Sequence, residues 1–382
     1  MKKFKDIKFK NYILITVITI ATIVFGAVSV FGGLPSSILY LLEKMAIAVI
    51  LSASLSLVVG FLGELSLGHA GFMCVGAYLG GKVSVILASN LGWGNTFPTL
   101  IASLVVGGLC AALCGFIIGL PALRLKGDYL AIVTLAFGEI VKSIFQNTSS
   151  ETFGGALGLQ TPRYDKKYLF IFAFVLVIIT VFAIQNIIRS KHGRAITSIR
   201  DNEIAARATG INVTKYKLLG FIVSAFFAGI AGVLYSFSNY NVQSSKFGYN
   251  YSIEILVMVV LGGMGSINGS VIAAALITFL NTKLATVLTG DLAVLQNLFY
   301  ALILIVIVLY NNSPALASFR ERYNFSNFAK KFFKVKHDPA KVHDDKGSWD
   351  KIPTKIKMDA ILSLDMSGKE TVQREDDDKG AK

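Results

Sequence analysis

The sequence predicts an all-α, polytopic membrane protein with about ten transmembrane helices. Apolar residues occupy 54% of the 382 positions and charged residues only 16%, whereas a soluble protein would carry about a quarter charged residues. The apolar residues gather in ten runs, most of them close to the roughly 20 residues that cross a bilayer. The runs lie at residues 12–31, 38–60, 70–88, 98–120, 129–146, 168–188, 217–238, 253–263, 270–289 and 293–310.

The first run follows a basic N-terminus, residues 1–11, which contains five lysines. The run spans residues 12–31 and is longer than the apolar core of a secretory signal, which has about 7 to 15 residues. We therefore predict a retained first helix. The run at 253–263 is short for a crossing and leads into a glycine-rich stretch, so we expect it to extend backward from Tyr249 or to form a broken helix.

Lysine and arginine are unevenly distributed between the two sides of the predicted spans. Ten crossings place both termini on one side, and that side holds 29 Lys and Arg residues against four in the opposite loops. Without the C-terminal tail the comparison is fourteen against four. Because short loops rich in Lys and Arg stay in the cytoplasm, the sequence predicts cytoplasmic N- and C-termini.

The C-terminal tail, residues 311–382, differs in composition from the membrane domain, residues 12–310. It contains fifteen basic and twelve acidic residues, and aromatic and basic residues alternate between Phe328 and Lys336. That alternation suits a segment lying on an anionic inner leaflet. The alternative is a solvated, partly disordered tail.

The residue patterns of catalytic sites are missing from this sequence. No glycine-rich phosphate loop ends in Gly-Lys-Ser or Gly-Lys-Thr, so we expect ATP to be used by other subunits and no cofactor in this chain. The four histidines form no metal-ligand pair, and no Gly-x-Ser-x-Gly motif occurs. The sequence therefore predicts no metal site and argues against a membrane enzyme.

The longest polar stretch before the tail is the predicted cytoplasmic loop at residues 189–217. Ser198 and Asp201 have the spacing of a capping box, and Gly210 suits the left-handed residue that ends a helix. The loop is therefore predicted to contain one helix from Ile199 to Thr209.

This predicted helix carries small apolar side chains beside charged ones, a combination that suits docking against a partner protein. The alternative is an amphipathic helix on the inner leaflet, which would favour a wider stripe of large apolar residues.

Four segments in order resemble one family. The loop sequence GRAITSIRDNEIAARATGINVTKYKLLGF, together with the segments at 120–140, 153–159 and 259–276, is similar to the M-type (LivM) permease subunits of branched-chain amino acid ABC importers. The similarity covers roughly residues 38–310. In ABC importers a Glu-Ala-Ala and later Gly pattern forms a coupling helix that docks on the ATPase. By this resemblance Glu203, Ala205, Ala206 and Gly210 fill the pattern, with Ile204 inserted between the glutamate and the alanine pair. Together with the polar and charged residues beside them, the predicted coupling residues are Arg200, Asp201, Asn202, Glu203, Ala205, Ala206, Arg207 and Gly210.

The resemblance implies a subunit that transports leucine, isoleucine or valine across the bacterial cytoplasmic membrane. It implies four kinds of partner: a second permease of the H-type, two ABC ATPase subunits, an extracytoplasmic amino-acid-binding protein and the lipid bilayer, with no nucleic acid. One alternative is a related permease for another small solute, such as urea. From a different class, the alternative is a membrane scaffold that recruits a cytosolic partner without transport.

Two segments interrupt the apolar pattern with glycines, at residues 60–71 and 262–269. Paired breaks of this kind can mark a transport path, because exposed backbone and helix ends offer polar contacts at membrane depth. The alternative is that the glycines permit close helix packing. The residues predicted to line a path are Glu64, Gly68, His69, Gly262, Gly263 and Gly265.

Overall fold

The computed structural model is almost entirely helical. It describes residues 13–33, 35–92, 96–125, 127–162 and 164–287, together with positions 298, 301, 302 and 305. The N-terminus, the C-terminal tail and most of the predicted run at 293–310 lie outside the described residues.

The helices are α1 (Ile13–Gly32), α2 (Ser36–Ser56), α3 (His69–Leu91), α4 (Phe97–Ala122), α5 (Asp128–Asn147), α6 (Ser150–Phe153), α7 (Lys166–Arg189), α8 (Lys191–Asp201), α9 (Glu203–Ala208), α10 (Val213–Asn239), α11 (Tyr249–Gly262) and α12 (Ile267–Val287). A π-helical segment, Leu57–Leu62, continues α2. Two short strands, β1 (Leu159–Gln160) and β2 (Asn241–Val242), pair antiparallel with Leu159 opposite Val242. Helix α11 begins at Tyr249, so the predicted backward extension of the short run is confirmed.

Successive long helices alternate in direction. Helices α2 and α10 are antiparallel: the Tyr40 hydroxyl donates to Asn239 Oδ1 at one end (2.8 Å), and the Lys217 ammonium donates to Glu64 at the other. We call the end where α7 finishes and α10 begins the loop end, and the end where α10 finishes the far end. Contacts of the same kind orient α12, where Ser52 Oγ donates to the Ser270 carbonyl (3.0 Å).

Six helices of the described part are long and apolar enough to cross a membrane: Ser36–Leu62, His69–Asn90, Phe97–Ala122, Tyr168–Arg189, Val213–Asn239 and Ile267–Val287. Two shorter apolar helices, Ile15–Ser29 and Tyr249–Gly262, accompany them. The predicted helical membrane class is therefore confirmed, and six candidate crossings are identified by length and composition among the described residues.

Helix α2 is the central helix of the bundle. In its most apolar stretch 89% of the residues are buried, against 33% for the corresponding stretches of α4 and α7. Helices α3, α4 and α10 pack closely through glycines: a Cβ on Gly76 would lie 2.2 Å from the Gly229 carbonyl oxygen, and one on Gly229 would lie 2.8 Å from that of Gly107. Such close backbone approach is how membrane helices gain packing contacts.

One face of α4 consists of large apolar side chains that stay exposed among the residues that the structure describes. They recur every three or four residues along the helix, at Ile101, Val105, Leu109, Leu113, Phe116, Ile117 and Leu120. Spacing of three or four residues places these side chains on one helical face. A stripe of this kind suits contact with lipid or with another apolar helix.

Candidate functional site at the loop end of the bundle

The polar loop between α7 and α10 folds into two short helices at the loop end, where one was predicted. Ser190 is the N-cap of helix α8. Its Oγ accepts from the backbone N–H groups of His192 (3.1 Å) and Gly193 (3.4 Å). The capping box predicted at Ser198 is wrong, because Ser198 lies inside α8 and its hydroxyl donates to the Ala195 carbonyl (2.8 Å).

The break between the two helices falls at Asn202. Its backbone is extended (φ −158°, ψ 105°), and its Oδ1 accepts from the Ala205 backbone N–H (3.0 Å) as the N-cap of α9. The predicted continuous helix from Ile199 to Thr209 is therefore two helices. An asparagine side chain can replace a missing backbone acceptor in this way, so it starts a helix as readily as serine does.

The predicted helix stop at Gly210 is confirmed. Gly210 has φ +84°, its N–H donates to the Arg207 carbonyl (3.0 Å), and the next residue, Ile211, donates to the Ala206 carbonyl (3.1 Å). These two bonds form a Schellman motif, which satisfies the free carbonyl groups at a helix end. The loop therefore has a defined conformation at both ends of α9.

One side of the two loop helices is fixed to the bundle by apolar contacts. Ile196 is buried in the main core, and Ile199, Ala206 and Val213 form a second small cluster with Ile211 packed against it. Of the predicted alanine pair, Ala206 belongs to this cluster and Ala205 is exposed. The sequence could not show which alanine faced inward, because the position of the break at Asn202 decides it.

The other side of α9 is exposed in the part of the chain that the structure describes. Ile204, the residue inserted between the glutamate and the alanine pair, is 81% exposed, the largest exposed fraction among the large apolar side chains that the structure describes. The remaining exposed side chains of this surface are Asp201, Asn202, Ala205, Arg207 and Ala208. We call these six residues the α9 surface.

A chain of ion pairs links the α9 surface to the interior of the bundle. Arg207 pairs with Glu203 (2.8 Å), and Glu203 also accepts from the Lys217 ammonium (3.2 Å). Lys217 is buried, and the same ammonium donates to Glu64, which follows the end of α2. Because a buried charge is costly without a partner, the Lys217 ammonium and the Glu64 carboxylate each compensate the charge of the other.

Arg200 links α8 to both glycine-rich segments. Its Nη1 donates to the Gly60 carbonyl in the π-helical segment (2.9 Å), and a Cβ on Gly265 would lie 3.3 Å from that same nitrogen. Gly60 and Gly265 also contact each other, since a Cβ on Gly60 would lie 2.7 Å from the Gly265 backbone nitrogen. The two glycine-rich segments are about 200 residues apart in sequence, yet they contact each other, and Arg200 contacts both.

Three of the other residues predicted to line a path lie at helix contacts, and the fourth, Gly263, lies in a turn. His69 is buried at the start of α3, with Nε2 2.8 Å from Ser54 Oγ. A Cβ on Gly68 would lie 2.5 Å from the Thr134 carbonyl oxygen, and one on Gly262 would lie 2.4 Å from the Ser270 nitrogen. Gly263 has φ +92° in the turn between α11 and α12. A path-lining role for these residues stays a prediction.

Sequence reasoning treated Lys217 as a loop cation and Glu64 as a path residue, and it missed their pairing. The available signal was an acidic and a basic residue at the ends of two apolar runs, where each needs a partner. Within the part of the chain that the structure describes, no group of three or more His, Cys, Asp or Glu residues could hold a metal ion.

Comparison with known proteins gives one consistent family. Residues 37–310 match the family model described as "Branched-chain amino acid transport system / permease component". The chain is 37% identical over 263 residues to the high-affinity branched-chain amino acid transport system permease protein LivM of Salmonella typhimurium, covering 60% of each chain. It is 29% identical over 253 residues to a probable LivM permease of Methanocaldococcus jannaschii, covering 58% of this chain and 73% of that one.

A more distant similarity connects the chain to sugar permeases. It is 26% identical over 295 residues to the ribose import permease protein RbsC of Haemophilus influenzae, covering 72% of this chain and 85% of that one. The matched region spans about 60% of the length of the LivM proteins of Salmonella typhimurium and Escherichia coli.

Proposed function

The chain belongs to the family of permease components of branched-chain amino acid transport systems, and from this premise we propose that it imports leucine, isoleucine and valine. The family match confirms the resemblance that the four sequence segments indicated. The protein is a multi-pass membrane permease. In the proposed importer it forms the translocation path together with a second permease of the H-type. The alternating helix directions and the six apolar spans support this role.

The proposed topology has ten crossings of the bacterial cytoplasmic membrane, with both termini in the cytoplasm. Nine helices of 14 or more residues in the described part alternate in direction, and in this proposal the apolar run at 293–310 supplies a tenth. The excess of Lys and Arg at the loop end supports its cytoplasmic placement. In this orientation the α9 surface faces the cytoplasm.

The proposed partners are the second permease, two ABC ATPase subunits and an extracytoplasmic amino-acid-binding protein. The sequence of this chain lacks a phosphate-binding loop, so in the proposal the ATPase subunits bind and hydrolyse ATP. The chain itself then acts as a transport subunit and not as an enzyme.

The observation that carries the proposal is the connection between the α9 surface and the transmembrane helices. When ATP binding draws the ATPase subunits together, a partner held against Ile204 and Arg207 moves α8 and α9 with it. Lys217 and Arg200 transmit this displacement, because they contact Glu64 and Gly60 at the loop end of the central helix. Discrete packing contacts of this kind can couple a small shift to a change of access.

The proposed activity is tested by uptake into proteoliposomes that contain the complete transporter, ATP and the binding protein. We expect accumulation of labelled leucine, isoleucine and valine, and no accumulation of urea or ribose. Accumulation of urea alone would favour the related permease for another solute. A complex that binds its ATPases and accumulates no solute would favour the scaffold.

The docking role of the α9 surface is tested by Ile204→Glu. Because Ile204 is exposed and lies outside both apolar clusters of the described residues, the variant should insert and fold normally yet lose copurification with the ATPase subunits. Thr214→Glu adds the same charge at an exposed position at the start of α10 and serves as the control. Equal recovery of the ATPases with both variants would contradict the assignment.

A further inference from the structure

A cavity of about 300 Å³ lies toward the far end of the bundle, between α2, α10, α11 and α12. Its size falls at the lower limit of small-molecule sites, which occupy about 300 to 1,000 Å³. None of the residues predicted to line a path contributes to it. It lies at the opposite end of α2 from the contacts of the α9 surface.

Charged groups of both signs line this cavity. Lys44 of α2 and Lys246, which precedes α11, supply ammonium groups, and Glu254 of α11 supplies a carboxylate. The structure places all three charged groups around one space. Ionisable groups among apolar helices are costly, so their convergence on a cavity indicates a site for a charged or dipolar ligand.

Neighbouring side chains fix two of these charged groups in place. The Lys44 ammonium lies 4.6 Å from the centre of the Tyr40 ring, a cation–π contact. The Asn281 amide donates to Glu254 Oε1 (3.1 Å), so one carboxylate oxygen is held from α12. Both groups are thereby oriented before a ligand arrives, which reduces the entropy lost on binding.

The cavity also has an apolar wall and an unsatisfied hydroxyl. Ile47 and Met258 supply aliphatic and thioether surface, and Phe247 supplies an aromatic ring. The buried Oγ1 of Thr278, which lines the same space, forms no hydrogen bond to any residue that the structure describes. Buried hydroxyls are usually hydrogen-bonded, so an unpaired one at a cavity wall is a further polar contact that a ligand can use.

We propose that this cavity is a binding site for a zwitterionic α-amino acid with a short apolar side chain. The ammonium groups of Lys44 and Lys246 pair with the ligand carboxylate, and Glu254 accepts from the ligand ammonium. The ligand side chain packs on Ile47 and Met258. This inference rests on the proposed transport function and adds to it a substrate site within the single permease chain.

The mixture of charges distinguishes this ligand from other classes. A simple anion would pair with the lysines and leave Glu254 facing a like charge, which is unfavourable. A neutral sugar carries no charged group that matches the ammonium groups of Lys44 and Lys246 or the carboxylate of Glu254. A ligand with both an anionic and a cationic group matches charges of both signs.

The test measures binding to the full chain in lipid nanodiscs without the binding protein. Three probes of similar shape are compared: L-leucine, 4-methylpentanoate, which lacks the ammonium group, and 3-methylbutylamine, which lacks the carboxylate. We expect the wild-type chain to bind leucine more tightly than either analogue by about tenfold or more, since each analogue forfeits a charge-assisted contact.

Two variants assign the contacts. Glu254→Gln should weaken leucine binding by about tenfold and should not weaken 4-methylpentanoate binding, because it removes the acceptor of the ligand ammonium and, for the anion, a like charge. Lys246→Met should weaken both carboxylate ligands and should not weaken 3-methylbutylamine binding. Lys283→Met removes an exposed ammonium of α12 that does not line the cavity, and it should bind all three probes as the wild type does.

The outcomes separate this inference from the proposed function. If the complete transporter accumulates leucine while the wild-type chain binds none, or while the cavity variants bind it as tightly as wild type, the cavity assignment is wrong and the transport function stands. If the variants lose affinity for all three probes equally, the substituted residues act only on structure, and the cavity assignment is again overturned. If the transporter accumulates no branched-chain amino acid, the proposed function itself fails.

Discussion

The ammonium of Lys217 donates to the carboxylate of Glu64, although 153 positions separate the two residues in the sequence. Both side chains are almost fully buried, and the contact ties the start of α10 to the segment that follows α2. Glu203 of α9 shares the same ammonium, so the pair is also the inner end of the ion-pair chain from the α9 surface. One buried lysine therefore joins three elements at the loop end.

Removal of Lys217 should destabilise the protein more than removal of both partners. Lys217→Met leaves the Glu64 carboxylate buried without a cation, and breaking a buried pair costs about 3–5 kcal/mol. The double variant Glu64→Gln, Lys217→Met removes the uncompensated charge and should recover part of that loss. Thermal midpoints measured by size-exclusion chromatography in detergent compare the variants.

The matched control for this prediction is Lys215→Met, which removes an exposed ammonium from the first turn of the same helix. Surface charges of this kind contribute about 0–1 kcal/mol, so its midpoint should stay close to that of the wild type. A double variant as unstable as Lys217→Met alone would show that the ammonium acts through packing and not through its charge.

Arg200 should be required for coupling and not for docking. Arg200→Gln removes the charge-assisted bond to the Gly60 carbonyl and the ion pair with Asp201 (3.0 Å), while the α9 side chains Ile204 and Arg207 are unchanged. We expect leucine uptake to fall about tenfold, the energetic equivalent of one such bond, while the ATPases copurify normally. Arg194→Gln neutralises an exposed arginine on the same helix, and unchanged uptake is expected. Loss of ATPase binding in Arg200→Gln would mean that Arg200 belongs to the docking surface.

The sequence patterns were sufficient to predict the long apolar helices and the helix stop at Gly210 in the loop. Apolar runs of membrane length form helices α2, α3, α4, α7, α10 and α12. Backbone N–H and C=O groups in lipid have no water to bond, so a single apolar run satisfies them by forming a helix. The stop at Gly210 was predictable because its left-handed backbone is a local property. Both features depend on residues close together in sequence.

The contacts of the site were not predictable on the same basis. Ser198 has the spacing of a helix start, but its hydroxyl bonds within α8 and Asn202 begins the next helix. Ile199 and Ala206, on either side of that break, pack in one small cluster, a tertiary contact that residue spacing does not encode. The partners of Lys217 lie 153 and 14 positions away, a separation for which helical periodicity carries no information. The meeting of Gly60 with Gly265 is likewise a product of the fold.

Gly60 should not tolerate even a methyl group. A Cβ there would lie 2.7 Å from the Gly265 backbone nitrogen, and backbone cannot move aside as a flexible side chain can. Gly60→Ala should therefore lower stability by about 1–3 kcal/mol, the usual cost of overpacking, and should reduce uptake. The measurements are the thermal midpoint and leucine uptake in proteoliposomes.

Gly220→Ala is the control for this substitution. Gly220 lies within α10, and a Cβ on it would lie 3.9 Å from its nearest neighbour, the Leu62 side chain. Alanine is favoured over glycine in a helix by up to about 1 kcal/mol, so this variant should be as stable as the wild type or more stable. A Gly60→Ala protein with normal stability and uptake would show that the two glycine segments need not touch.

Gly210 tests whether the conformation of the loop, and not only its charges, is needed for coupling. Proline fixes φ near −65° and has no N–H, so Gly210→Pro loses both the left-handed backbone of +84° and the bond to the Arg207 carbonyl. Uptake should be abolished while membrane insertion is retained. Asparagine tolerates the left-handed conformation and keeps the N–H, so Gly210→Asn should retain most of the uptake. Normal uptake by the proline variant would exclude a rigid α9 as the element through which the ATPases act.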